Sequence, residues 1–170
     1  MIGRAARHLP KLALALACAG ALAAASPAHA GFDEGMAFYN KGDYFRALSE
    51  LKPEAEAGNP LAQVQVAGIY QYGLVGAANY AEAIKWYKKA AAVGNADALL
   101  GLGVMYNLGQ GVPQDKVESV KWLTLAADRL PQGPDRNRVL TALDTMKEQM
   151  SDEELARARK LVADWKPGQP

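Results

Sequence analysis

The stretch that decides the fold is ALLGLGVMYNLGQGVPQDKVESVKWLTLAA, at residues 98–127. A similar stretch, AQVQVAGIYQYGLVGAANYAEAIKWYKKAA, begins 36 residues earlier and occupies residues 62–91. Eight of the thirty positions are identical without a gap, and they pair Tyr70 with Tyr106 and Trp86 with Trp122. Self-similarity at a fixed period of this length indicates a repeat protein whose units stack on one another.

The second half of each unit has the hydrophobic pattern of a helix. Apolar or small residues recur at intervals of three and four, at Ala83, Trp86, Tyr87, Ala90 and Ala91. Three lysines between them fall on the other side. This spacing places one apolar stripe along a helix.

Polar residues mark where these helices begin. Asn79 precedes Glu82 by three residues, and Asp115 precedes Glu118 by the same interval. Both pairs are typical of capping boxes, in which two side chains satisfy unpaired backbone N–H groups at a helix start. Glycines end the helices, so each unit is predicted to be a helical hairpin.

Large and small residues alternate along the predicted core. Trp86 and Trp122 are wide enough to fill the space between two helices, and we expect both to be buried. Gly101 and Gly103 weaken a helix intrinsically, so their presence predicts a close approach of neighbouring helices. No single unit can bury this surface alone, which favours a solenoid.

The unit at 95–130 resembles the Sel1-like repeat, a relative of the tetratricopeptide repeat. The resemblance is carried by Ala98-x-x-x-Leu102-Gly103-x-x-Tyr106-x-x-Gly109-x-Gly111-Val112-Pro113-x-Asp115 and then Val120-Lys121-Trp122-Leu123-x-x-Ala126-Ala127. Unit 59–94 is similar, with Val66-Ala67 and Gly76-Ala77-Ala78 as departures, and residues 31–58 form a degenerate unit. The resemblance implies an all-α, right-handed α-α superhelix.

The C-terminal part departs from the repeat. Residues 131–166 carry two helical patterns, the second opened by a capping box at Ser151 and Glu154. We predict that these two helices cap the open end of the stack, and that residues 167–170 form a short tail.

The first thirty residues have the layout of a secretory signal peptide. Basic residues at Arg4, Arg7 and Lys11 precede an apolar run, which ends in Ala28-His29-Ala30, a small-residue cleavage pattern. We predict cleavage near Ala30, a periplasmic or secreted protein, and no membrane span in the mature chain. The alternatives are an uncleaved anchor, for which the run is short, and a lipoprotein cut at Cys18, whose preceding residues fit poorly.

Cleavage would leave a chain with little catalytic chemistry. Both histidines and the only cysteine, His8, His29 and Cys18, lie within the first thirty residues. The remaining 140 residues hold 16 Lys and Arg (19 less three) against 18 Asp and Glu, a net charge of −2. This balance does not suggest nucleic-acid binding, and the composition predicts no thiol nucleophile, metal or other cofactor. We expect no enzyme.

One short motif suggests an alternative. Ser49-Glu50-Leu51-Lys52 matches the S-x-x-K motif of penicillin-recognising serine enzymes. That chemistry also needs an S-x-N element and a K-T-G strand, and the sequence contains neither. Ser49 and Lys52 are therefore interpreted as polar residues on a helix flank. A hydrolase of cell-wall or β-lactam amides stays the alternative, as does a structural subunit of an envelope complex.

The predicted function is binding of another protein. In solenoids of this kind the first helix of each unit lines a concave groove, so the resemblance implies a site made from the first helices of both full units. The corresponding residues are Val64, Gly68, Gln71 and Tyr72 in one unit, and Leu100, Val104 and Asn107 in the next. Such a surface would suit an extended peptide or a partner helix. The competing interpretation is that Val64, Leu100 and Val104 are ordinary core residues.

Overall fold

The computed structural model describes residues 27–168, and these residues form eight α-helices and no strand. The helices are α1 (Pro27–Asn40), α2 (Tyr44–Glu56), α3 (Pro60–Gln71), α4 (Tyr80–Ala92), α5 (Ala96–Leu108), α6 (Lys116–Arg129), α7 (Pro134–Lys147) and α8 (Asp152–Asp164). The predicted all-helical class is confirmed.

Successive helices pair as hairpins and the hairpins stack. Helix α1 packs on α2, α3 on α4, and α5 on α6, while α2 also packs on α3 and α4 on α5. Each of the helices α1 to α6 therefore contacts its neighbours along the chain, as the solenoid prediction requires.

The helix starts are capped where the sequence predicted, but only one of the two hydrogen bonds of a capping box forms at each. The Asn79 side chain accepts a hydrogen bond from the Glu82 amide at 3.1 Å, and that of Asp115 accepts from the Glu118 amide at 3.0 Å. The return bonds of a capping box are absent here. The amides of Asn79 and Asp115 instead donate to the carbonyls of Tyr70 and Tyr106.

The two glutamates that do not take part in capping form ion pairs with lysines that precede the tryptophans. Glu82 pairs with Lys85 at 3.4 Å, and Glu118 pairs with Lys121 at 3.1 Å. The Lys121 ammonium lies 4.0 Å from the Trp122 ring centroid, within the range of a cation–π contact. In the preceding unit Lys89 occupies that place over Trp86, also at 4.0 Å.

Both repeat tryptophans are buried, as predicted. Trp86 is 2% exposed and Trp122 is 5% exposed. They belong to the main core together with fully buried aliphatic side chains from α2, α3 and α5, including Leu51, Ile69 and Leu102.

The close approach predicted at the glycines is also present. A Cβ placed on Gly101 would lie 2.7 Å from the ring of Tyr87, and one on Gly103 would lie 2.6 Å from Leu123. Real Cβ atoms do not tolerate such distances, so neither position accepts a larger residue without a shift of its neighbour. At Gly68 the nearest atom, the Tyr87 hydroxyl, is 3.9 Å away.

Tyr87 anchors a buried polar chain between the two full units. Its hydroxyl donates to Gln71 Oε1 at 3.0 Å, and Gln71 Nε2 donates to Gln110 Oε1 at 2.9 Å. Burial, and to a smaller degree the neighbouring Tyr72, raises the pKa of Tyr87 above its ordinary value of 10.

The two C-terminal helices do not form a fourth regular hairpin. Helices α7 and α8 each pack against α6. The capping box predicted at the start of α8 is complete, since the Ser151 hydroxyl accepts from the Glu154 amide and the Glu154 carboxylate accepts from the Ser151 amide. Hydrogen bonds from Ser151 lower the pKa of that carboxyl group.

The residues after α8 return to the repeats. Trp165 is half-buried against the main core, with the Arg129 guanidinium 4.6 Å from its ring centroid. The Gly168 amide donates to the carbonyl of Ala92 at the end of α4. The predicted tail thus contacts the C-terminal end of α4.

The predicted signal peptide lies almost wholly outside the described residues, and its cleavage stays a prediction. Helix α1 begins at Pro27, four residues before the predicted mature start at Gly31. Within residues 27–168, no helix has the length and apolar character needed to cross a membrane.

Substituting Gly101 with Ala is expected to destabilise the protein. The added methyl group would overlap the buried Tyr87 ring, and overpacking of this kind costs about 1–3 kcal/mol, more than the helix-propensity gain of about 1 kcal/mol. Gly68→Ala is the matched control, because its methyl group makes only ordinary contacts and should stabilise the helix. Urea unfolding measures both, and equal shifts in midpoint would contradict this packing.

The stability at high pH is expected to depend on Tyr87. The pKa of Tyr87 is higher in the folded state than in the unfolded state. Its contribution to the free energy of unfolding is therefore fully present below pH 10 and falls as the pH rises beyond that value. The free energy of unfolding should therefore fall less between pH 9 and about pH 11 in Tyr87→Phe than in the wild type. At pH 7 the same variant should be less stable than wild type by about 1–3 kcal/mol, because Gln71 Oε1 loses its donor. Parallel pH profiles of the two proteins would contradict this prediction.

Candidate functional site

The structure brings three predicted groove residues together in one cleft. Leu100, Val104 and Asn107 lie one turn apart on α5 and line a cleft of about 440 Å³ between α5 and α7. All three side chains are half-buried. This space is called the α5–α7 cleft below.

The opposite wall comes from the C-terminal cap. Val139, Ala142 and Met146 on α7 face the predicted residues, and Leu123 of α6 lies between the two walls. Both α5 and α7 pack on α6 but have little direct contact with each other. The gap between them forms the cleft.

Polar groups stand at the rim of the cleft. Asp97 lies in the first turn of α5, and Asp135 in the first turn of α7. Asp135 forms an exposed ion pair with Arg138 at 2.7 Å, which contributes little to stability. The Asn107 carbonyl accepts a hydrogen bond from the Gln114 side chain at 2.7 Å. An apolar interior with a polar rim resembles the anatomy of protein interfaces.

The four predicted residues of the preceding unit do not join this cleft. Val64 and Gly68 are half-buried on α3, and Tyr72, just after that helix, is 70% exposed. Gln71 is 5% exposed, and both ends of its amide are engaged by Tyr87 and Gln110. Their part in a groove stays a prediction.

The residues of the α7 wall were not among the predicted site residues. Their helical spacing is visible in the sequence, where Val139, Leu143 and Met146 recur at intervals of three and four. That pattern predicts an end cap, but it does not specify the position of α7 beside α5.

The S-x-x-K residues lie on an open surface of α2. Ser49 and Lys52 are both exposed and border a shallow cleft of about 450 Å³ with Phe45, Leu48 and Tyr70. Residues 27–168 contain no strand that could carry the partner elements of such an enzyme.

Metal ligands are not clustered in the described part of the chain. Between residues 27 and 168, no group of three or more His, Cys, Asp or Glu side chains converges in a way that could hold a metal ion.

Comparison with known proteins gives a matching family model and several similar solved structures. The Sel1 repeat model matches residues 60–95 and 96–129. A search of curated proteins found no match. One similar structure is a protective antigen present in uropathogenic Escherichia coli strains displaying an SLR fold (TM-score 0.71, 23% identity, 81% of this chain and 29% of that one).

The second similar structure is a Sel1 repeat protein from Oxalobacter formigenes, with a TM-score of 0.62 and 30% identity over 76% of this chain. The chain spans 29% and 55% of the lengths of these two structures. Residues 60–129 of this chain are therefore two tandem Sel1 repeats, and the chain has the fold of a Sel1-repeat solenoid.

Proposed function

We propose that this chain is an exported scaffold that binds a segment of another protein in the α5–α7 cleft and has no catalysis of its own. Sel1 repeats typically act as protein–protein interaction scaffolds. The observation that carries the proposal is that Leu100, Val104 and Asn107, which the resemblance to Sel1-like repeats implies as groove residues, line one cleft.

The chemistry of the cleft suits apolar side chains presented by a peptide or a helix. Leu100, Val104 and Val139 would cover one or two anchoring side chains, and removal of apolar surface from water would supply the main driving force. The rim groups, Asp97 and Asn107, would orient the backbone or polar neighbours of the bound segment. Affinity would depend on how well such anchors fill the space.

Cross-linking in intact cells tests this site. A photoreactive amino acid replaces Arg138, an exposed residue of the cleft rim, and should yield a discrete adduct with one protein. A second substitution, Ala142→Glu, places a charge on the exposed part of the α7 wall and should abolish that adduct. The matched control, Ala156→Glu, is also at an exposed residue but lies on α8, outside the lining of the cleft, and should leave the adduct intact.

The purified partner then provides a quantitative check. Ala142→Glu should weaken its binding by about tenfold or more, the effect of roughly 1.4 kcal/mol, while Ala156→Glu should not change it. An adduct that survives Ala142→Glu, or that both variants remove equally, would place the interaction elsewhere.

Export rests on the sequence of the first thirty residues and needs its own test. The N-terminal residue of the protein recovered from the periplasm or medium should be Gly31. Replacing Ala28 and Ala30 with Phe should cause the uncleaved precursor to accumulate, because the cleavage site requires small residues. Cys18→Ser should leave processing unchanged. A mature chain that begins with a lipid-modified Cys18 would instead establish a lipoprotein.

A further inference from the structure

A second cleft lies between α6 and α8, and it shares no lining residue with the α5–α7 cleft. Its volume is about 390 Å³, which falls within the range of small-molecule sites. Val120 of α6 and Ala158 of α8 form its base and are 3% and 2% exposed. It is called the α6–α8 cleft.

Small side chains keep the α6–α8 cleft unfilled. Ala158 and Ala163 project only methyl groups into a space that Leu155 and Val162 border from the same helix. Protein interiors are normally filled to close packing. An apolar space of this size at the surface is therefore available to an apolar group from outside the chain.

The charges at this cleft are of one sign. Lys147, in the last turn of α7, and Arg159, on α8, both border the space, and no carboxylate lines it. Within residues 27–168 neither cation forms an ion pair or a side-chain hydrogen bond, whereas Arg138 at the other cleft is paired with Asp135. Lys147 is also half-buried, so an anion placed beside it would gain a charge-assisted hydrogen bond.

We propose that the α6–α8 cleft binds the anion of a medium-chain fatty acid. The alkyl chain would lie over Val120, Ala158 and Val162, and the carboxylate would contact Lys147 and Arg159 at the rim. Arginine suits a planar carboxylate because its guanidinium donates two parallel hydrogen bonds. The proposal rests on the shape and charge of this cleft alone and is independent of the partner-binding function.

Calorimetry with the full purified chain and monomeric decanoate tests the proposal. Binding should be saturable, and decan-1-ol, which has the same tail without charge, should bind about tenfold or more weakly, since it cannot form a charge-assisted hydrogen bond. Butyrate, which lacks most of the apolar tail, should not bind measurably at the same concentrations.

Three variants locate the bound anion. Lys147→Gln with Arg159→Gln should weaken decanoate binding by about tenfold or more. Arg157→Gln, which removes one positive charge from an exposed α8 residue that does not line the cleft, should leave it unchanged. Ala163→Phe fills the space from its exposed rim and should abolish binding while circular dichroism shows an intact helical fold.

Several results would overturn the proposal. They are the absence of decanoate binding, equal affinity for decan-1-ol, and binding that persists in Ala163→Phe. Equal weakening by Arg157→Gln and by the double variant would indicate general attraction of anions to the surface, which also contradicts a built site.

Discussion

One backbone hydrogen bond in each full unit fixes how the two helices of that unit meet. The amide of the N-cap residue donates to the carbonyl of a tyrosine near the end of the preceding helix, from Asn79 to Tyr70 at 2.8 Å and from Asp115 to Tyr106 at 3.0 Å. This bond closes the turn, and it also occupies the amide that a capping box would use. The following glutamate is then free to pair with a lysine next to the buried tryptophan.

The tryptophans show why packing dominates this core. The indole N–H groups of Trp86, Trp122 and Trp165 are buried and have no acceptor among the described residues. An unsatisfied donor costs about 1–3 kcal/mol. A tryptophan buries about 150–250 Å², which at about 25 cal/mol per Å² corresponds to roughly 4–6 kcal/mol. Burial therefore outweighs the missing hydrogen bond, and the nearby cations add to it.

The repeat period predicted most of the fold because each unit is stabilised by contacts at fixed offsets. The helix starts and the buried tryptophans follow from it. Gly101 does not, because it aligns with Gln65, and its close packing is predicted from the cost of a glycine within a helix. Only one wall of the α5–α7 cleft, made by Leu100, Val104 and Asn107, was among the predicted site residues. Its other wall belongs to α7, which lies outside the repeat, and no periodicity specifies where a non-repeating helix packs.

Gln71 shows a second limit of prediction from the repeat, because equivalent positions in two units can have different neighbours. Gln71 and Asn107 are equivalent in the repeat, but only Gln71 meets a tyrosine hydroxyl, because the equivalent of Tyr87 in the next unit is Leu123. The Tyr87 ring reaches Gly101 and fills the space between α3 and α5. Leu123 is shorter, and α7 packs on α6 as α5 packs on α4. Leu123 and Asn107 both line the α5–α7 cleft, so the cleft occurs where the repeat ends.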